Sequence, residues 1–264
     1  MSSADRLYTR CRLRAQEVAR AAGTRLLHAQ GRARLIDYKG AINLVTEMDR
    51  WSERFIAREL SRTFPDFDFL AEEAERNVNT GSEFRWIVDP LDGTTNYAHR
   101  LPIYSVSIAL EHRGRIVVGA VYQPPLNEMF AAQVGRGAWL NGRRIAASGE
   151  TRLERSLLVT GFPYDMHTTR QDNLGYFRRF MKRAQAVRRL GSAALDLCYV
   201  ACGRFDGFWE IKLSPWDVAA ASLVASEAGA KITSLSGTPF SVYGGSVVAA
   251  PLRLHRQMLK IISL

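Results

Sequence analysis

From Tyr104 to Ile145 the hydrophobic pattern of this chain runs with a period of two, and that stretch limits the fold more than any other. Ser105-Val-Ser-Ile-Ala-Leu110, Ile116-Val-Val-Gly-Ala-Val-Tyr122 and Glu128-Met-Phe-Ala-Ala132 read as successive antiparallel strands. Turn signals at His112-Arg-Gly-Arg115, Pro124-Pro125 and Asn141-Gly142 separate them. Before this meander the period is helical. Residues 5–30 form one amphipathic pattern (Leu7, Cys11, Val18, Ala22, Leu26), and Thr46-Glu-Met-Asp49 opens a second helix as a loose capping box. The apolar face of that second helix is expected at Trp51, Phe55, Ile56 and Leu60. Phe67-Asp-Phe-Leu-Ala71 and Phe84-Arg-Trp-Ile-Val88 read as short buried strands that end at carboxylates. After Ser156-Leu-Leu-Val-Thr160, strands alternate with helices near 170–184, 191–202, 215–228 and 251–261. A meander joined to such alternation predicts a layered α/β (α+β) architecture rather than a barrel of equal units. Residues 1–264 are expected to form one domain of two layered halves that divide near residue 150.

At 264 residues the chain can bury a large core without disulfides or a structural metal. An apolar fraction of 47% and a charged fraction of 23% exclude a disordered chain. No stretch approaches the apolar length of a membrane span, and the first residues lack the apolar core of a secretory signal. Cys11, Cys198 and Cys202 are an odd set without a CxxC pair, so they read as core packing in a cytoplasmic protein. The balance of charge is unusual. Thirty-six basic against 26 acidic residues give +10, and 31 of the 36 are arginine. Residues 1–40 hold nine basic and three acidic side chains, and residues 170–189 hold seven basic residues against Asp172 alone. Both clusters alternate with apolar residues at helical spacing. They therefore read first as solvated helix faces, with a docking face for nucleic acid or an acidic partner as the second reading.

The acidic minority gathers at the ends of elements. Ile87 and Val88 deliver Asp89 to the carboxyl end of a strand, where Pro90 is expected to stop further pairing and Gly93 to allow a tight turn. Asp89 and Asp92 are then held close together. Two such carboxylates resist joint ionisation unless a cation lies between them, and an oxygen-rich set with a free backbone carbonyl suits Mg²⁺ or Mn²⁺. If a short helix begins after Gly93, the amides of Gly93, Thr94 and Thr95 face outward towards a phosphate. The sum is a metal-plus-phosphate site.

Three ordered segments, Leu70-Ala-Glu-Glu73, Trp86-Ile-Val-Asp-Pro-Leu-Asp-Gly-Thr-Thr-Asn-Tyr97 and Trp216-Asp-Val-Ala-Ala220, resemble the inositol monophosphatase family. Gly135-Arg-Gly-Ala-Trp-Leu-Asn-Gly142 and Gly191-Ser-Ala-Ala-Leu195 match as well, so the resemblance runs from about Lys39 to Glu227. That family belongs with the lithium-sensitive, Mg²⁺-dependent phosphatases, which include fructose-1,6-bisphosphatases and 3′-phosphoadenosine 5′-phosphate phosphatases. The resemblance implies a layered αβαβα sandwich and a homodimer. It implies hydrolysis of inositol-1-phosphate by an activated water, with fructose-1,6-bisphosphatase or histidinol-phosphate phosphatase activity as the alternative.

Carried over residue by residue, the resemblance makes Glu72, Asp89 and the Leu91 carbonyl ligands of one Mg²⁺, and Asp89, Asp92 and Asp217 ligands of a second. A third ion would use Glu72 and waters. Thr94 and Asp49 correspond to the pair that orients the attacking water, assisted by Glu72, and Gly93 and Thr94 amides take the phosphate. Gly191, Ser192, Ala193, Glu210 and Asp92 fall where relatives contact the substrate's hydroxyls. Lys212, near Glu210, is an exposed lysine beside the pocket or a contact for a second anionic group. Ala221 stands where the family usually has glycine, and tight packing is expected to absorb the extra methyl.

Overall fold

The computed structural model describes residues 2–30, 36–38, 44–73 and 77–264, with only the backbone of 36–38 and 44–46. Lys39 and the side chain of Thr46 lie outside the described residues. In chain order the elements are α1 (Ser3–Ala29), β1 (Ile36–Tyr38), β2 (Leu44–Thr46), α2 (Glu47–Thr63), β3 (Asp68–Ala71) and β4 (Phe84–Asp92). Then come α3 (Thr94–Ala98), β5 (Ser105–His112), β6 (Arg115–Gln123), β7 (Glu128–Gln133), β8 (Gly137–Leu140), β9 (Arg143–Arg144) and β10 (Leu157–Thr160). The chain closes with α4 (Leu174–Met181), β11 (Ala186–Arg188), α5 (Ala193–Ala201), β12 (Gly207–Ile211), α6 (Pro215–Glu227), β13 (Lys231–Thr233), β14 (Ser246–Ala250) and α7 (Leu252–Ile262).

The period-two stretch becomes the middle of a seven-stranded sheet of order β3-β4-β5-β6-β7-β8-β9, antiparallel except for the β3/β4 pair. Asn141 (φ 48°) and Gly142 (φ 79°) make the left-handed two-residue turn between β8 and β9. A second sheet of order β11-β10-β12-β14-β13 has β10 parallel to both of its neighbours. Helices α1 and α2 pack on the outer face of the large sheet, α5 and α6 lie between the sheets, and α4 and α7 cover the small one. The order of layers is αβαβα. Each of the three helical layers has its own apolar cluster: Cys11, Leu26 and Ile56 with Trp86, then Leu195 and Val218 with Val121 and Phe208, then Phe180 and Leu254 with Trp209.

The middle layer is tight because small residues line up across it. Ile87, Ala109, Gly119, Ala132 and Ala138 are successive cross-strand partners in β4 to β8, and Ala219, Ala220 and Ala221 of α6 share their core. A β-carbon on Gly119 would run into the Ala220 carbonyl oxygen and stand 3.1 Å from the Ala220 Cα. Ala221 is fully buried in this core, its methyl accommodated.

Two expectations need correction. Pro90 does not end the strand: β4 continues to Asp92 through a bulge, with Asp89 opposite Ser107 and Asp92 opposite Ser105. On the other side β3 pairs no further than Val88, so among the described residues no strand faces the missing N–H of Pro90. The buried face of α2 is also rotated from the expected one. Met48, Asp49, Ser52, Glu53, Ile56, Ala57 and Leu60 are buried, whereas Trp51 and Phe55 are half-buried and stack on each other 5.3 Å apart. The arginines of α1 are largely packing groups, since Arg10, Arg12, Arg20 and Arg25 lie over the rings of Phe64, Trp139, Tyr122 and Trp51.

Candidate active site

Parallel strands in a layered α/β fold open their carboxyl ends onto a common crevice, and both sheets do so here. Glu72 follows β3, Asp89 to Asp92 end β4, Phe162 to Tyr164 follow β10, and Glu210 to Lys212 end β12. All of them line one cleft of about 260 Å³ together with Leu91, Gly93, Thr94, Ser214, Trp216 and Asp217, the last three from the start of α6.

Each aspartate is aimed by a bond to one oxygen. Asp89 Oδ1 accepts the Leu91 amide at 3.0 Å, which the bulge turns inward. Asp92 Oδ2 accepts the hydroxyls of Ser105 (3.2 Å) and Ser192 and the Ala194 amide (3.2 Å). Asp217 Oδ2 accepts the Ser214 amide at 2.7 Å, as the acidic half of a capping box on α6. Gly93 makes the turn between these aspartates and α3 at φ 91°, and a β-carbon there would lie 2.9 Å from the Ile103 carbonyl oxygen.

The buried polar face of α2 braces this region from behind. Ser52 and Glu53 lie about one helical turn beyond Asp49, three and four residues on. Asp49 Oδ1 lies 2.9 Å from the Thr94 hydroxyl, Ser52 donates to the Pro90 carbonyl at 2.9 Å, and Glu53 accepts the Glu73 amide at 2.9 Å. The Thr94 hydroxyl is also 3.0 Å from the Leu91 carbonyl oxygen. Sequence reasoning missed Ser52 and Glu53. Polar residues spaced by three and four on a helix that must bury one face are a usable signal for such a brace.

Burial and like charge dominate the electrostatics. Burial pushes Asp89 well above the usual carboxylate range, and Glu72, Asp92 and Asp217 push it further. Burial raises Asp92 to about 6 against the opposing Ser192 and Ser105 hydroxyls. Asp217 keeps a solvent-facing edge but is walled by protein on most sides, which raises it to about 7. Glu210 rises to about 8 through burial and then through the charge of Asp217. Among the described residues no three acidic, imidazole or thiol groups are drawn in closely enough to cage an ion as they stand.

Of the residues singled out from the sequence, the cleft brings together Glu72, Asp89, Leu91, Asp92, Gly93, Thr94, Glu210 and Asp217. Asp49 lies one hydrogen bond behind it. Gly191, Ser192 and Ala193 do not line it; they lie behind Asp92, where Ser192 caps α5 and the Asn96 amide holds the Leu190 carbonyl at 2.8 Å. Phe162, Pro163, Tyr164 and Trp216 were not foreseen as lining residues, although Gly161-Phe-Pro-Tyr164 directly follows a buried strand. The Lys212 ammonium is already engaged, 2.7 Å from Asp165 Oδ2 and 2.6 Å from Thr169 Oγ1.

The sequence signature of the inositol monophosphatase family matches residues 9–263. An inositol-1-monophosphatase of Mesorhizobium japonicum is 42% identical over 227 residues, covering 86% of this chain and 85% of the relative. The Nus factor SuhB of Pseudomonas aeruginosa is 39% identical over 254 residues, covering 94% of each. The solved inositol monophosphatase of Anabaena (Nostoc) sp. superposes with a TM-score of 0.88 at 39% identity, covering 97% of this chain and 96% of the other. With residues 9–263 matched in sequence and 97% of the chain superposed on a solved relative, this protein belongs to the inositol monophosphatase family.

Proposed function

We propose that the protein is a Mg²⁺-dependent phosphomonoesterase that hydrolyses inositol-1-phosphate to inositol and phosphate. The observation that carries this reading is the meeting of Glu72, Asp89, Asp92 and Asp217 in one cleft beside the Thr94–Asp49 hydrogen bond. The donor set fits a hard divalent cation, because every candidate ligand is an oxygen and Asp89 is buried among three other carboxylates, while Lys212, the one cationic residue among the described residues lining the cleft, is engaged by Asp165 and Thr169. Glu72, Asp89 and the Leu91 carbonyl would hold one ion, and Asp89, Asp92 and Asp217 another. When bound, two or three Mg²⁺ ions, or Mn²⁺ in their place, would supply positive charge to the phosphate and to the attacking and departing oxygens.

The protein groups then divide the remaining work. The Thr94 hydroxyl donates its hydrogen bond to Asp49, so its oxygen is left to accept a hydrogen bond from water and turns that water's lone pair towards phosphorus. Glu72 takes the water's other hydrogen bond. The amides of Gly93 and Thr94 orient the phosphate at the turn into α3. As the water oxygen bonds to phosphorus it gives up a proton towards Glu72 and the solvent, the bond from phosphorus to the alcohol oxygen breaks on the opposite side, and the departing alkoxide takes a proton back from the solvent. Glu210, lining the cleft at the end of β12, accepts a hydroxyl of the departing polyol.

A panel of phosphate esters assayed with purified protein and Mg²⁺ tests the substrate. Inositol-1-phosphate should rank first, and the substrate claim fails if it ranks far below fructose-1,6-bisphosphate or histidinol phosphate. Li⁺ titrated at fixed Mg²⁺ should inhibit, as in the lithium-sensitive phosphatases the sequence resembles; unchanged initial rates across the titration would contradict this. A docking role for the basic face of α1 has less support, since four of its arginines lie over aromatic rings and Arg14 pairs with Glu17 and Glu59.

A further inference from the structure

Lys212 has a backbone and a side chain that call for explanation. Its φ is +57°, a left-handed conformation that glycine adopts freely and a residue carrying a β-carbon adopts rarely. It is nonetheless firmly based, with Ile211 paired to Ser246 in the small sheet and the Leu213 amide donating to the Gly245 carbonyl at 3.0 Å. From that base the ammonium reaches Asp165 Oδ2 (2.7 Å) and Thr169 Oγ1 (2.6 Å).

Apart from the Phe162 ring, which packs 5.5 Å from that of Phe177, the segment it reaches is otherwise hydrogen-bonded among the described residues only to itself. Among the described residues, the hydrogen bonds of 162–171 are Met166 and Thr168 closing turns on Pro163 and Asp165, Thr169 returning to Asp165, and Gln171 to Thr169, apart from the two from Lys212. The same segment carries Phe162, Pro163 and the exposed Tyr164 along the cleft. On its far side Lys212 borders a second pocket of about 690 Å³, lined by Arg170, Tyr176 and Arg179, and among the described residues only Ile211 and Lys212 line both spaces.

We propose that Lys212 is a specificity-determining residue: by clamping Asp165 and Thr169 it holds Tyr164 at the mouth of the cleft and walls the cleft off from the neighbouring pocket, so that esters of compact polyols are selected over esters of bulky alcohols. This rests on the phosphatase reading above. The clamp touches no reacting atom and acts by positioning the segment. Its loss therefore belongs in KM rather than in kcat.

The test compares inositol-1-phosphate with 1-naphthyl phosphate in Lys212→Gly, which the φ of this position tolerates, and in Asp165→Ala, which breaks the clamp from a residue that does not line the cleft. For a partly exposed ion pair, KM for inositol-1-phosphate should rise about fivefold in both, with kcat within about twofold and the naphthyl-to-inositol ratio of kcat/KM raised by a similar factor. Lys212→Arg, which can still reach the Asp165 carboxylate, should restore the wild-type ratio. Trypsin cleavage after Arg170 should quicken in Lys212→Gly and Asp165→Ala alike. A wild-type ratio in both clamp-breaking variants, or a fall in kcat at constant KM, overturns the proposal. If the wild-type protein releases phosphate from neither ester, the phosphatase reading falls and takes this one with it.

Discussion

Asp89→Asn is expected to abolish turnover while leaving the fold intact. The amide is isosteric, and its carbonyl can still accept the Leu91 amide that Asp89 Oδ1 now accepts at 3.0 Å. The substitution also replaces a group whose charged form is disfavoured by burial and by Glu72, Asp92 and Asp217 with a neutral one, so the cation-free protein should be no less stable than wild type. The side chain lost is the one assigned to both ions, and kcat/KM should fall at least about a thousand-fold, on the order of 4 kcal/mol of transition-state stabilisation. A readout apart from activity accompanies it. Mg²⁺ should raise the Tm of the wild-type protein, because a ligand of the native state stabilises it by mass action, and the rise should vanish in Asp89→Asn. Wild-type-like turnover in the variant would place the metal site elsewhere.

The Asp89 segment was legible because several local rules converge on it. A buried apolar strand, a proline, a glycine and two aspartates in eight residues leave few conformations and little chemistry other than cation and phosphate binding. The Asn141-Gly142 turn and the long amphipathic α1 were legible for the same reason, each being specified by neighbours in sequence. The bulge at Pro90 was not. It depends on β3 ending at Ala71, opposite Val88, while β5 continues, and nothing near Pro90 encodes where β3 stops. The rotation of α2 was hidden for a related reason. Trp51 and Phe55 look like core by type, but the buried face is decided by Asp49, Ser52 and Glu53, whose partners lie 20 to 45 residues away. Tyr164 and Lys212 meet in the cleft only because β10 and β12 are adjacent and parallel, a pairing made by the packed sheet.

The same dependence on packing makes Gly119→Ala the most informative test of the fold. Gly119 sits mid-strand in β6 between Ala109 and Ala132, without a left-handed φ, so it is there for space and not for backbone freedom. The atoms a new methyl would meet are the carbonyl oxygen, carbonyl carbon and Cα of Ala220, all backbone, and a helix backbone cannot move aside as a side-chain tip can. α6 must lift from the sheet. Overpacking of this kind typically costs about 1–3 kcal/mol, which for a chain of this size lowers Tm by roughly 2–10 °C. Gly175→Ala is the control, since nothing lies within 4 Å of its added β-carbon and alanine suits its helix, so its Tm should be unchanged or slightly raised. Because Asp217 stands in the first turn of α6, three residues before Ala220, the lift should also displace a carboxylate of the cleft. Gly119→Ala should therefore need more Mg²⁺ than wild type for half-maximal activity at temperatures where it is still folded. Equal Tm values for Gly119→Ala and Gly175→Ala would show that α6 does not rest on the sheet at Gly119. A lowered Tm with an unchanged Mg²⁺ requirement would separate the packing of the middle layer from the placement of Asp217.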